Sequence, residues 1–304
     1  MRDCASTEVS PATYVVVHTT RYAYTEWVSV SHHIARLSPR PLAYQTCVQH
    51  ALQIDPAPAM TATHADYFGN PTTFFVMDGE HRSLTVRAES RLVVAPKDLP
   101  EPAGVPRWEH ARDHDRLPLD AIDCVFDTVA APLPEAAAYA RPSFPPGRPL
   151  LEAVLDLTHR IHAEFTFDPQ ATTVATPLSD VFRLRRGVCQ DFARLEIACL
   201  RSLGLAARYV SGYLETDPPP GTGRLAGADA SHAWLAVFCP GAGWIDVDPT
   251  NNLLPSTRHI TLGWGRDYTD VSPIRGVILG GGDHSLEVSV DVVRVNGESR
   301  GSDL

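Results

Sequence analysis

Cys189, His232 and Asp248 are the residues of this chain whose types and settings can combine into covalent chemistry. In RRGVCQDFARLEIACLRSLG the cysteine directly precedes a helical apolar stripe. Unpaired N–H groups and the helix dipole at such a start favour an anion, which raises the thiolate fraction. Arg185 and Arg186 add positive charge nearby, and Gly187 lets the chain enter the turn tightly. A thiol nucleophile needs a base within hydrogen-bond reach, and that base works best when a third polar group holds its tautomer. His232 opens the strand-like run HAWLAVF after a polar loop, which puts an imidazole at a sheet rim. Asp248 closes GWIDVDP just before a turn, so its carboxylate can sit at the same end of an adjacent antiparallel strand. The reading takes Cys189 as nucleophile, His232 as base and Asp248 as orienter. Asp246 shares the strand face of Asp248 but lies farther from its end, and Asp246→Asn is expected to be nearly silent.

Plainer roles stand beside these. Cys is a small hydrophobe, a rim histidine is often structural, and an Asp before Pro caps turns. With thirteen histidines in the chain, type alone selects none of them. Cys199, in the middle of the same stripe, is assigned to the core.

The elements that must hold these groups are legible from periodicity. After Cys189, Phe192, Leu195, Cys199 and Leu203 lie along one flank, Ile197 and Leu200 widen it, and Gly204 is set to end the helix. LLEAVLDLTHRIHAEF carries Leu151, Val154, Leu155, Thr158, Ile161 and Phe165 at spacings of three and four, a second amphipathic helix. AARYVSGYLE, HAWLAVF and GWIDVD read as strands. In HSLEVSVDVVRV, Leu286, Val288, Val290 and Val292 alternate with Glu287, Ser289 and Asp291, as in a half-buried strand. Helices first and strands afterwards fit an α+β domain with helices packed on an antiparallel sheet.

Earlier, TYVVVHTTRYAY, TCVQHALQI, TTFFVM and LTVRAESRLVV alternate with turns such as SPRPL and FGNP, the punctuation of an antiparallel β domain. The expected division is an N-terminal β domain over residues 11–97, a Pro-rich linker with short helical turns, one of them around 120–129, over 98–147, and a catalytic domain over 148–298.

At 304 residues and 44% hydrophobic content the chain can bury more than one core. A formal charge of -10 argues against nucleic acid or an anionic membrane as partner. No run approaches the length that spans a bilayer and the opening MRDCASTEVS is not a secretory leader, so the expected location is cytoplasmic. The six cysteines form no C-x-x-C pair, and neither His32–His33 nor HARDHD has zinc-site spacing. The triplet at Gly280 to Gly282 lacks the Lys of a phosphate loop. No cofactor and no metal are expected.

Three boxes, RRGVCQDFARLEIACLRSLGLAARYVSGYLET, SHAWLAVFCPGAGWIDVDPTNN and GRDYTDVSPIRGVILGGGDHSLEVSV, resemble the bacterial transglutaminase-like superfamily. HTTRYAYTEWVSVSHHIARLSPR and DYFGNPTTFF resemble the N-terminal β domain that accompanies its bacterial members. The resemblance implies a transglutaminase/papain-like core in which the Cys of G-x-C, the His of H-A-W and the Asp of D-P-T act together, here Cys189, His232 and Asp248. It departs from crosslinking members in having Gln190 and Asp191, not an aromatic residue, after the cysteine. The implied activity is hydrolysis of an amide or isopeptide bond in a peptide or protein substrate through a Cys thioester. Transfer of a glutamine acyl group to an amine and a non-catalytic protein-binding scaffold are the alternatives. Gln190, His162 and Tyr213 are candidates for the cleft or the oxyanion site.

Overall fold

The computed structural model describes residues 10–126, 133–216 and 231–295. Five antiparallel strands come first: β1 (Ala12–Ala35), β2 (Gln45–Asp55), β3 (Met60–Ala65), β4 (Pro71–Met77) and β5 (His81–Val94). Among its described residues the Pro-rich stretch then forms short helices, including α1 (Leu119–Ile122) and α2 (Pro134–Ala140), before α3 (Leu150–Glu164). The end of the helical turn expected around 120–129 lies outside the described residues. Next come β6 (Thr166–Phe167), α4 (Leu178–Leu184), β7 (Arg186–Gly187) and α5 (Cys189–Ser202). The second sheet follows as β8 (Ala207–Leu214), β9 (Ser231–Cys239), β10 (Gly243–Val247) and β11 (His259–Gly265). The last elements are α6 (Tyr268–Val271), β12 (Ile274–Gly280) and β13 (His284–Val295).

The architecture is α+β: an antiparallel sheet, then helices packed on a second, curled antiparallel sheet of order β10-β9-β8-β11. β1 is long enough, at 24 residues, to serve two sets of neighbours. Its first half runs between β5 and β13, and its second half between β4 and β12. The expected catalytic span of 148–298 thus includes two strands that pair with β1, so the first sheet draws on both ends of the chain. Alternation along β13 shows that a strand is present but cannot say which sheet it joins. Val290 and Val292 are buried as expected, whereas Leu286 and Val288 are exposed, because β13 runs on beyond the core it covers.

The helical stripes are largely buried as their spacing predicts, but in α3 Leu155 is only half-buried and Leu157, outside the expected stripe, is fully buried. Leu151, Val154, Leu157 and Ile161 of α3 and Phe192, Leu195, Ile197 and Leu200 of α5 are buried in one core with Leu235 and Val237 of β9. Each such side chain contributes roughly 1.5–3 kcal/mol relative to exposure. Gly204, at φ +77°, ends α5 in the left-handed conformation that glycine adopts without a Cβ penalty. A second core joins the two sheets, with Tyr14, Val16, Leu92, Val290 and Val292 against Tyr213, Ile260 and Leu262. Among the described residues no helix is long and apolar enough to cross a membrane.

Candidate active site

Cys189 is the first residue of α5 and is half-buried. The helix start is fixed by Asp191, whose carboxylate accepts the Val188 N–H at 2.9 Å and the Thr172 hydroxyl at 2.6 Å. A Cβ on Gly187 would lie 2.7 Å from that carboxylate, so only glycine lets the chain pass here. Gly187 is therefore a packing requirement of the helix start.

His232, at the second position of β9, donates Nε2–H to Asp248 Oδ2 at 2.8 Å. Asn251 Nδ2 also lies 3.4 Å from that Nε2, and the Cys189 thiol is a further side-chain hydrogen-bond partner of the ring. Burial alone would lower the His232 imidazole, but the Asp248 and Cys189 bonds outweigh it and hold its pKa up at about 10.

Asp248 follows β10 and is fully buried. Burial would raise its carboxyl, yet five donors keep it well below the usual carboxylate range. Oδ2 receives His232, His259 Nε2–H at 3.0 Å and Asn251 Nδ2–H at 2.8 Å. Oδ1 receives the backbone N–H groups of Thr250 at 2.9 Å and Asn251 at 3.2 Å. A carboxylate held this way orients imidazole and does not take its proton. Trp234 lies along the His232 ring at 5.9 Å and meets His259 edge-on at 5.2 Å.

His259 and Asn251 carry no mark in the sequence analysis. His259 opens the apolar run HITLGW much as His232 opens HAWLAVF, which is the one local signal that points to it. The other candidates separate. His162, on the exposed side of α3, shares a hydrogen bond with the Thr250 carbonyl at 2.9 Å and so braces the turn that holds Asp248. Gln190 is half-buried at the second position of α5. Tyr213 is corrected: it is 1% exposed and bonded through its hydroxyl to His18 Nδ1 at 2.9 Å, in the contact between the sheets and not in a cleft. Asp246 pairs with Lys97 at 2.5 Å, both side chains nearly buried, so it is no bystander. His33 is buried in β1, its ring stacked on Phe75 at 4.8 Å.

His232, Asp248 and His259 bring three metal-ligating atoms within 4.8 Å of one another. Their separations of 2.8 and 3.0 Å are those of N–H donors on a carboxylate. A tetrahedral ion with bonds of about 2.0–2.2 Å spaces its ligand atoms about 3.3–3.6 Å apart. The cluster fits a charged hydrogen-bond network better than a metal centre.

Below the site, Glu196 lies two turns along α5 from Cys189 and is fully buried. Thr158 Oγ1 is 2.7 Å from Glu196 Oε1 and 2.9 Å from the Val154 carbonyl. One hydroxyl hydrogen cannot serve both acceptors, and a protonated Glu196 that donates to Thr158 satisfies both. Burial, with the Asp248 charge adding to it and Thr158 opposing, raises the Glu196 pKa to about 8. The unfolded chain releases this proton near its ordinary pKa of about 4.3, so the contribution is complete below that pH and is lost as pH rises through about 8. Glu196→Gln is expected to remove that loss, on the order of 1.4 kcal/mol per pH unit across the window. Urea unfolding of both proteins at several pH values checks it, and parallel pH profiles would contradict it.

A cysteine at the start of a buried helix, facing a strand-borne histidine on a curled antiparallel sheet, defines the transglutaminase/papain-like class of fold. The chain belongs to the bacterial transglutaminase-like superfamily: residues 14–93 match the bacterial transglutaminase-like N-terminal region, and residues 138–249 match the transglutaminase-like superfamily core. An uncharacterized protein of Mycobacterium tuberculosis is 44% identical over 296 residues, covering 94% of each chain. The crystal structure of a candidate cysteine protease from Cytophaga hutchinsonii has a TM-score of 0.71 over 95% of this chain and 92% of that one, and at 19% identity it speaks to the fold alone. The periplasmic domain of TgpA from Pseudomonas aeruginosa covers 77% of this chain and 90% of that one at 21% identity and a TM-score of 0.35. The cytoplasmic expectation is withdrawn: that matching domain is described as periplasmic, and composition does not tie a chain to one compartment. No location is assigned to this chain.

Proposed function

We propose that this protein is a thiol hydrolase of amide or isopeptide bonds in peptide-like substrates, with Cys189, His232 and Asp248 as nucleophile, base and orienter. The observation that carries the reading is that the His232 ring has two hydrogen-bond partners, the Asp248 carboxylate at 2.8 Å from Nε2 and the Cys189 thiol. An imidazole bonded to both a buried carboxylate and a thiol at a helix start is the arrangement that a thiol nucleophile and its base require.

In the proposed reaction the Cys189 thiolate attacks the amide carbonyl carbon. The C–N bond breaks as His232 gives its proton to the departing nitrogen, leaving a thioester. Water then gives a proton to His232 as its oxygen adds to the carbonyl, and breaking the C–S bond restores the thiolate. The Cys189 N–H, in the first turn of α5, has no intrahelical acceptor and is available to the developing oxyanion. Transfer to an amine differs only in the group that resolves the thioester. A scaffold role is disfavoured by a half-buried, not occluded, Cys189 with His232 turned toward it.

Alkylation by iodoacetamide at about pH 6–7 tests the activated thiol against Cys199, which is fully buried and whose thiol burial pushes up. Cys189 is expected to react at least about tenfold faster. Equal rates, or a Cys189 rate that rises only above about pH 8.5 as for an ordinary thiol, would remove the claim.

A further inference from the structure

β11 is the outer strand of the second sheet: one edge pairs with β8 and the other faces the N-terminal β domain. An open strand edge presents N–H and C=O groups that need partners. Two carboxamide side chains of the N-terminal domain supply them, each nearly fully buried. Gln45 Oε1 accepts the Thr261 N–H at 2.8 Å while its Nε2 donates to the Thr261 carbonyl at 2.7 Å. Asn70 Oδ1 accepts the Trp264 N–H at 3.0 Å while its Nδ2 donates to the Trp264 carbonyl at 2.8 Å. A carboxamide offers an acceptor and donors much as a peptide group does, so each side chain stands in for one residue of a missing strand.

Residues three apart do not face the same edge of a regular strand. Here the register shift between Thr261 and Gly263 turns Thr261 and Trp264 to the same side. The approach is close: a Cβ on Gly263 would lie 2.7 Å from Asn70 Oδ1. The Trp264 ring is held between the guanidinium groups of Arg40, at 3.6 Å, and Arg208, at 3.7 Å. At the start of this strand, two residues before the Gln45 clamp, His259 donates to Asp248 Oδ2.

We propose that Gln45 and Asn70 are positioning residues of the thiol site: by closing the free edge of β11 they set its register, and with it the place from which His259 holds the Asp248 carboxylate for His232. This rests on the Cys189–His232–Asp248 reading given above. The N-terminal domain is then a working part of the active site. A hydrogen bond weakens over a few tenths of an ångström, so a small slide of β11 loosens the carboxylate and lets the imidazole turn.

Hydrolysis of p-nitrophenyl acetate by the full chain separates the possibilities. The Cys189 sulfur takes the acetyl group as p-nitrophenolate leaves, and water, losing a proton to His232, then releases acetate. The burst amplitude counts competent Cys189, and the steady rate per burst site reports deacylation, which depends on an oriented His232. Gln45→Met keeps volume and removes both clamp bonds. His259→Phe keeps the ring beside Trp234 and removes the donor, whereas His259→Gln restores an N–H near the same place. Deacylation per burst site is expected to fall about tenfold in Gln45→Met and His259→Phe and to stay within about threefold of wild type in His259→Gln. Asn70→Ser is read in the same way, and because only folded molecules contribute to the burst, a poorly folding variant still yields a rate constant. Wild-type deacylation in Gln45→Met and Asn70→Ser, with amplitude falling only as folded protein falls, would overturn the proposal. A wild-type burst that is absent, or that persists in Cys189→Ala, would instead sink the triad reading and the proposal with it.

Discussion

Cys189→Ala is expected to abolish turnover, by more than about 10⁴-fold, while the unfolding midpoint stays close to that of the wild type. The two outcomes separate because the thiol is the group that forms the proposed covalent bond, whereas in packing the residue lies at the margin of the core and not within it. Cys189 is half-buried at the first turn, and the stripe that anchors α5 begins at Phe192. Alanine has the highest helix propensity and leaves the Asp191 bond to Val188 in place. Activity on an amide substrate and thermal unfolding, measured on the same preparation, check both halves. Retained turnover would end the thiol mechanism.

Asp248→Asn and Asp246→Asn are expected to fail in opposite ways. Asp248 gathers five donors, so an amide there turns an N–H₂ toward groups that themselves donate. It also loses the charge that stabilises imidazolium. The cost in kcat is expected to lie between about 10² and 10⁴, the upper figure being that of the corresponding change in serine proteases. Asp246 touches no catalytic group and serves the buried Lys97, whose ammonium also lies 4.3 Å from the Tyr44 ring. Neutralising it leaves that ammonium unpaired, at a stability cost of about 3–5 kcal/mol with little loss in kcat per folded molecule. Expectation from the sequence makes this substitution silent; the buried partner, 149 residues away, is what sequence spacing cannot show. Steady-state kinetics and urea unfolding on both variants check the contrast, and equal rate losses would contradict the assignment of the orienter.

What could be read from the sequence was local. The helix after Cys189 follows from spacings of three and four, and the places of His232 near the start of one strand and of Asp248 just past the end of the next follow from apolar runs with polar ends. His259 escaped because its partner is reached across strands. Gln45 and Asn70 escaped for a further reason: they bond backbone groups 216 and 194 residues away, and a backbone partner leaves no residue type to recognise. Tyr213, a candidate for the cleft on the sequence alone, gives its hydroxyl to a bond with His18 of the other sheet, a partner that spacing along the chain does not show. The same limit hid the destination of β13, whose alternation fits either sheet.

The thioester itself is the most direct test. Wild-type protein mixed with glutamine-bearing or isopeptide-linked peptides and quenched in acid is expected to gain, by intact mass, one acyl group that peptide mapping places on Cys189 and that hydroxylamine removes. Cys189→Ala is expected to gain none. Product release from wild type with no such adduct under single-turnover conditions, or an equal adduct on the Ala variant, would contradict the account.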